Sequence, residues 1–517
     1  MINSSGQYII YNKSDMEMES NTQKGVKAPD KDVIQRITGS FGKYQLWLCG
    51  LIFLSKFPVA YHQMAIIFLS PKVSYFCNDT KTNDTCPCAN PEYDTSVFTS
   101  TITSEWDLIC GRKWMASFSQ TLFQLGTLFG SVLFGMAADR FGRKNPLLAA
   151  VVLQVSMGIT AGFIKEYWTF AFIRFLVGMS VGGTMVTGFV IVMEFVGTQY
   201  REVVSAMYQT PFNLGHLTLP VFAYFFRDFR DFQLSISIPT VLLLTYFIFV
   251  PDTPRWLIAV KRTDDAVTIL KRVAKVNGRP TENIQSDVES YQAALKKSDL
   301  RKGNILDLVR TPNLRKNTIC MAFNWLTCSY CFYGVSQYVG QLSGNVFVNV
   351  AASACFSFFG TLLSIPLLRV MGRKTILIVF NFICGVCLLM LTVIPEGVWS
   401  IACAIVGVVT SFIVFVVVYL YCSELFPTVV RNAALGCSSM MARVGSMIAP
   451  FVIDTGAVAP WLPPLLFAML PLMACGISFL MPETKGCELM TTIEEGENFG
   501  KKSETLETND TKSKERY

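Results

Sequence analysis

Apolar runs of about twenty residues recur along the chain, separated by short polar stretches, and a helix needs about that many residues to cross roughly 30 Å of hydrocarbon. The pattern predicts twelve membrane-crossing helices, near residues 44–69, 114–137, 147–164, 168–193, 203–226, 232–250, 317–340, 346–368, 375–394, 398–421, 433–454 and 461–481. Two long polar connections interrupt the rhythm, 70–113 after the first run and 251–316 after the sixth. The expected architecture is an all-α polytopic membrane protein. Its parts are an N-terminal segment 1–43, a six-helix half 44–250 that includes loop 70–113, a connecting loop 251–316, a second six-helix half 317–481 and a tail 482–517. The tail is charged and poor in aromatic residues, a composition expected to be disordered.

Composition agrees with the pattern. Of the 517 residues 51% are hydrophobic and 16% charged, too apolar for an ordinary soluble domain. A net charge of +7 would suggest nucleic acid in a soluble chain, but no basic-aromatic patch is present and the cations crowd particular loops. Loop 251–316 holds fourteen Lys and Arg, whereas loop 70–113 holds Lys72, Lys81, Arg112 and Lys113. Positive-inside bias puts the second loop in the cytosol. Residues 1–40 are polar, without a cleavable signal, so the amino terminus is expected in the cytosol. Loop 70–113 has the chemistry of an extracellular segment: glycosylation sequons at Asn78 and Asn83, and Cys77, Cys86, Cys88 and Cys110 in position for two disulfides of open connectivity. The other cysteines lack metal-ligand spacing, and no metal or cofactor is expected.

The chain also repeats itself. Gly142-Arg143-Lys144 recurs as Gly372-Arg373-Lys374, Glu194 as Glu424 and Arg201 as Arg431, each at an offset of 230 residues. Pro251-Asp252-Thr253 recurs as Pro482-Glu483-Thr484 at an offset of 231. Each match falls at the mouth of a predicted span, so the chain is a duplicated six-helix unit, with a substrate site expected at mid-membrane between the halves. The mouth charges suggest a gate: Asp139 caps a helix end, Arg140 and Arg143 present cations, Arg143 pairs with Glu194 and Arg373 with Glu424, and Arg201 and Arg431 assist. These pairs are expected to hold the cytosolic ends together and to break when the halves rock. Duplicated mouths and the lack of a TVGYG-type filter argue against a channel or receptor. No GxxxxGK[ST], HExxH or GxSxG segment supports a pump or an enzyme.

GMAADRFGRK after the second run, PDTPRWL (251–257) after the sixth and the paired Glu-Arg segments resemble the major facilitator superfamily. STITSEWDLICGRKW (100–114), FNWLTCSYCFYG (323–334) and ELFPTVVRN (424–432) narrow the resemblance to its organic ion transporter family, solute carrier family 22, over about residues 33–486. The resemblance implies facilitated or exchange transport of small organic ions across the plasma membrane, with the ion and the bilayer as partners.

Within that family the position of Arg443 separates branches: cation carriers resembling this chain have aspartate there, and anion and carnitine-type carriers have arginine. A guanidinium at mid-membrane costs roughly 2.5–3.5 kcal/mol on insertion scales, so it is expected to face a cavity or a partner. Pairing with Asp454 or a backbone carbonyl is the structural alternative. The family's anion carriers have a basic residue at the position of Thr361, which tilts the expectation towards a zwitterion, with a plain anion or a plain cation as alternatives. Trp325, Tyr330, Tyr333, Tyr419 and Tyr421 are candidate rings for an ammonium group, and Trp325 and Tyr333 match family positions. Gln120 and Gln124 share a helix face. Asn213 and His216 in the fifth run, and Lys56 and His62 in the first, are further polar candidates.

Overall fold

The computed structural model describes residues 33–78, 82–84, 86–295, 306–487, 490 and 492–500. Twelve helical spans run through it: Lys43–Leu69, Trp114–Phe141, Lys144–Thr160, Tyr167–Phe195, Thr210–Phe225, Phe229–Phe249, Pro312–Val339, Val346–Val370, Arg373–Met390, Val398–Leu425, Arg431–Asp454 and Leu462–Ser478. They are called the first to twelfth spans below. Among the described residues, eight helical runs are long and apolar enough to cross a bilayer on their own. The third and twelfth spans are 17 residues long and the fifth 16. The seventh is long enough, at 28 residues, but carries Arg315, Lys316, Asn317, Asn324 and Gln337.

Tight contacts organise each half. The second and fourth spans pack backbone to backbone because glycines meet there: a Cβ on Gly130 would lie 1.9 Å from the Met179 carbonyl oxygen, and one on Gly178 2.0 Å from that of Phe123. In the second half Gly445 lets the eleventh span reach the seventh, where a Cβ would stand 2.2 Å from the Leu326 carbonyl oxygen. Small residues that let backbones approach are the usual device where lipid supplies no hydrophobic drive between helices.

The halves meet along the second and eleventh spans and along the fifth and eighth. Ser117 Oγ donates to the Pro450 carbonyl (3.2 Å) and Thr121 Oγ1 to that of Met447 (2.9 Å). Asn213 Nδ2 donates to Thr361 Oγ1 (2.7 Å). At the end of the bundle that carries loop 70–113, the loop end, Phe347 of the eighth span stacks on Phe68 (5.8 Å) and also meets Phe98 and Tyr224.

Loop 70–113 is built on a three-stranded sheet, Tyr75–Cys77, Thr82–Asn83 and Pro91–Tyr93, with the first strand in the middle. Disulfides join Cys77 to Cys88 and Cys86 to Cys110. The loop is tied to the first half by an ion pair between Glu105 and Arg230, and by Trp106, which packs on Phe170 (5.0 Å) and donates to the Lys165 carbonyl.

Two segments differ from the sequence expectation. Loop 251–316, with the segment ahead of the first span, folds into a helical layer at the opposite, basic end: Val33–Thr38, Pro254–Ala259, Thr263–Val276, Ile284–Leu295 and Asp307–Arg310. Its core is small but closed, with Ile34, Trp256, Leu257, Val267, Leu270 and Val288 buried together. In the tail, expected to be disordered, Ile493–Asn498 is helical and docked. Glu497 Oε2 accepts from the backbone N–H of Asn313 (2.9 Å) and Leu314, the first turn of the seventh span. The Asn313 amide returns three bonds to the tail carbonyls of Gly496, Glu497 and Phe499. These bonds satisfy donors that a helix start leaves open. Residues 501–517 lie outside the described residues.

Candidate functional site

The duplicated motifs find a common geometry at the basic end. Arg143 forks onto Glu194 through Nε (3.1 Å) and Nη2 (2.8 Å), and Arg373 onto Glu424 (3.0 and 2.9 Å). The threonine of each Pro-acid-Thr motif donates to the same carboxylate, Thr253 to Glu194 and Thr484 to Glu424. The acid of each motif accepts from the backbone at the start of the third or the ninth span, Asp252 from Lys144 N (3.0 Å) and Glu483 from Arg373 N (2.8 Å). Glycine is required beside it: a Cβ on Gly372 would lie 2.0 Å from Glu483 Oε2, and Gly142 has φ +93°. Both ion pairs join spans of one half, so they brace each half and do not tie the two together. That corrects the expectation of a latch across the gate. Asp139, mostly exposed, adds a second contact to Arg143 (2.7 Å). Arg140 lies over its neighbour Phe141. Arg201 donates to the Val196 carbonyl, and Nε and Nη2 of Arg431 have no partner among the described residues.

A second group assembles at mid-depth from both halves. Arg443 points from the eleventh span towards the fourth, its Nη2 3.8 Å from Met185 Sδ. Asp454 is not its partner; it lies at the loop end of the span, in reach of Ser117 and Lys113. Around the guanidinium stand Tyr333 and Tyr419 of the second half and Lys56 of the first, each close enough to feel its charge. Tyr333 also reaches Gln63. Lys56 is buried with Nζ 3.9 Å above the Tyr208 ring, and the Tyr208 hydroxyl donates to the Met185 carbonyl. Tyr419 sits edge-on against Trp325 at 4.3 Å, and the buried indole Nε1 has no partner among the described residues. Beside the group, Gln63, Gln120, Tyr333, Gln337 and Ser446 line a cavity of about 10 Å³, room for about one water.

Other candidates lie elsewhere. Tyr330 is wedged against Phe467 (4.9 Å) and Gly445, between the seventh, eleventh and twelfth spans. Tyr421 is buried at the basic end, its hydroxyl donating to the Pro482 carbonyl. Both are packing residues: Tyr421 is turned two positions from Tyr419 to the opposite helix face, and Tyr330, though three positions from Tyr333, is filled in against Phe467 and Gly445. Asn213 is engaged with Thr361, while Gln124 and His216 are fully buried with no side-chain partner among the described residues.

Sequence reasoning missed Arg174. It is fully buried in the fourth span, donates to Gln120 Oε1 (2.8 Å) and the His62 carbonyl (3.3 Å), and lies 4.5 Å from the Phe123 ring centroid. Its signal in the sequence is one charge inside a 29-residue apolar helix, the same signal that singled out Arg443. The interior of the bundle thus holds Lys56, Arg174 and Arg443. The carboxylates carried by the spans, Asp139, Glu194, Asp231, Glu424 and Asp454, all fall within three residues of a span end. Lys56 and Arg174 are buried and Arg443 is half-buried, and none of the three has a carboxylate partner among the described residues.

A family model described as "Sugar (and other) transporter" matches residues 56–495. The "Organic cation transporter-like protein" of Drosophila melanogaster is 32% identical, over 90% of this chain and 92% of that one. "Solute carrier family 22 member 3" of Rattus norvegicus is 36% identical over 78% of this chain and 72% of its own, and "Organic cation/carnitine transporter 2" of Homo sapiens is 34% identical over 78% and 73%. Among solved structures, the inward-open xylose transporter XylE from E. coli superposes with a TM-score of 0.66 at 16% identity, covering 88% of this chain and 99% of that one, a likeness of fold. The chain is therefore a multi-pass membrane protein of the sugar (and other) transporter family and, within the major facilitator superfamily, belongs to the transporters of solute carrier family 22.

Proposed function

We propose that the chain is a plasma-membrane facilitative or exchange carrier of small organic ions that bear a negative group, with zwitterions of the ammonium-carboxylate kind as its favoured substrates. The observation that carries this reading is the interior charge: cations at Lys56, Arg174 and Arg443, and no span carboxylate farther than three residues from a span end. Arg443 offers a carboxylate the bidentate donor geometry of a guanidinium. The rings of Trp325, Tyr333 and Tyr419 offer an ammonium group its aromatic faces. One relative at 34% identity is named for cations and carnitine together, and carnitine carries both groups.

Alternating access fits the duplicated halves, with the central group exposed first to one side and then to the other. The disulfides and the sequons at Asn78 and Asn83 support an extracellular loop 70–113, and the fourteen cations of loop 251–316 support a cytosolic basic end with both termini inside. A plain organic anion is the second reading. It is favoured by Lys56, which brings a second cation to Arg443 from the other half, and opposed by Thr361, whose hydroxyl is engaged with Asn213 and Ser357.

Uptake into proteoliposomes of carnitine, a quaternary amine without a carboxylate, and a carboxylate without an amine separates these readings. The proposal expects carnitine to be carried best and Arg443→Asp to shift preference towards the simple amine. Carriage of the simple amine alone, unchanged by Arg443→Asp, would overturn it.

A further inference from the structure

Where loop 70–113 leans over the second half, the structure holds a cavity of about 520 Å³, separate from the central group. That volume lies within the roughly 300–1,000 Å³ range of small-molecule sites. One wall belongs to the loop, with Lys72, Asp94 and Phe98; the other belongs to the rim of the second half, with Phe347 and Glu396. The lining carries two carboxylates and one ammonium, a net charge of −1. The backbone N–H of Ser96 donates to Asp94 Oδ1 (2.9 Å) and holds its carboxyl below the usual range, so it stays ionised. Glu396 makes no ion pair among the described residues. Phe98 and Phe347, their rings 5.6 Å apart, add aromatic surface to the lining, and aromatic rings attract cations.

We propose that this cavity is a regulatory site for a small organic cation with an apolar body, reached from the extracellular side. Its two walls belong to different halves, and beside it Phe347 of the second half meets Phe68, Phe98 and Tyr224 of the first, so rocking that parts the halves at this end would split the cavity. A ligand touching both walls binds the outside-closed state and shifts the population towards it. Occupancy therefore slows the transport cycle without competing for the central group.

The test uses benzyltrimethylammonium, which does not cross membranes, and the full chain in lipid nanodiscs. Saturable binding of the radiolabelled probe is expected, weakened at least about tenfold, or about 1.4 kcal/mol, by Asp94→Asn combined with Glu396→Gln. Binding should be unchanged by Trp325→Ala. In proteoliposomes, probe added outside should lower the maximal uptake rate and leave KM in place, and the double variant should transport normally but escape inhibition. No saturable binding, binding indifferent to the double variant, binding lost with Trp325→Ala, or inhibition that raises only KM would each overturn the site. Loss with Trp325→Ala would place the simple amine in the central group; the other outcomes leave the preference for a zwitterion untouched, and Arg443→Asp tests that preference separately.

Discussion

Glu194→Gln keeps the shape of the side chain and removes its charge, which isolates what the carboxylate contributes. In the structure Glu194 accepts two bonds from Arg143 and one from Thr253, with the two charged side chains only 13% and 17% exposed. A hydrogen bond to a charged group contributes about 1.5–3 kcal/mol against about 0.5–1.5 for a neutral one. Three such bonds put the loss near 3 kcal/mol, reduced to about 2 because Arg143 keeps the Ala138 carbonyl (2.7 Å) and Asp139. For a cooperative unit of 150–250 residues, the size of one half, about 2 kcal/mol lowers Tm by roughly 4–8 °C. Because the pair lies inside one half, the loss should be the same whichever side of the membrane the carrier faces. The assay is thermal unfolding of the purified protein for Glu194→Gln, Arg143→Ala and the double variant, alongside distances between spin labels on the two halves. Glu424→Gln should behave as its twin. An unchanged Tm together with a shifted distribution of distances would refute the reasoning, since that is the signature of a latch across the halves.

Arg174→Met should lower stability by about 2–4 kcal/mol, because it leaves Gln120 Oε1 and the His62 carbonyl buried without their donor; thermal unfolding in detergent checks it. Cys86→Ser opens the bridge to Cys110 across 24 residues of sequence and should free loop 70–113 by about 2–4 kcal/mol, seen as faster trypsin cleavage at Lys72 or Lys81 with the spans intact. Glu497→Ala removes the acceptor for the first turn of the seventh span, a capping loss of about 1 kcal/mol. Proteolysis of the tail should then quicken about fivefold.

The architecture was legible because its signals are additive along the chain. Twenty apolar residues mark a span whatever surrounds them, and motifs repeated at 230 residues mark two halves. The mouth residues were legible as a set, and Arg143 and Glu194 lie together in the half 44–250; what the sequence left open was that their bonds brace that half instead of latching it to the other. The central site was legible residue by residue. Arg443, Trp325, Tyr333 and Tyr419 converge, whereas Tyr421, two positions from Tyr419, is turned to the opposite face, and Tyr330, three positions from Tyr333, is taken up by packing on Phe467 and Gly445. The docked tail was misread for a different reason. Its order depends on bonds to Asn313 and Leu314, about 180 residues earlier, and composition carries no record of such a partner. Thr492-Ile-Glu-Glu495, a capping box in the structure, was the local hint.

The polarity of the seventh span has a consequence for biosynthesis. With Arg315, Lys316, Asn317 and Asn324 along it, this segment partitions poorly into lipid as it leaves the ribosome. Its stabilising neighbours are made later: Asn381 of the ninth span and Ser478 of the twelfth bond Asn324, and the eleventh span packs on Leu326. Integration of the second half is therefore delayed and collective, and a chain cut after the eighth span is expected to leave its seventh segment outside the bilayer, a substrate for membrane quality control.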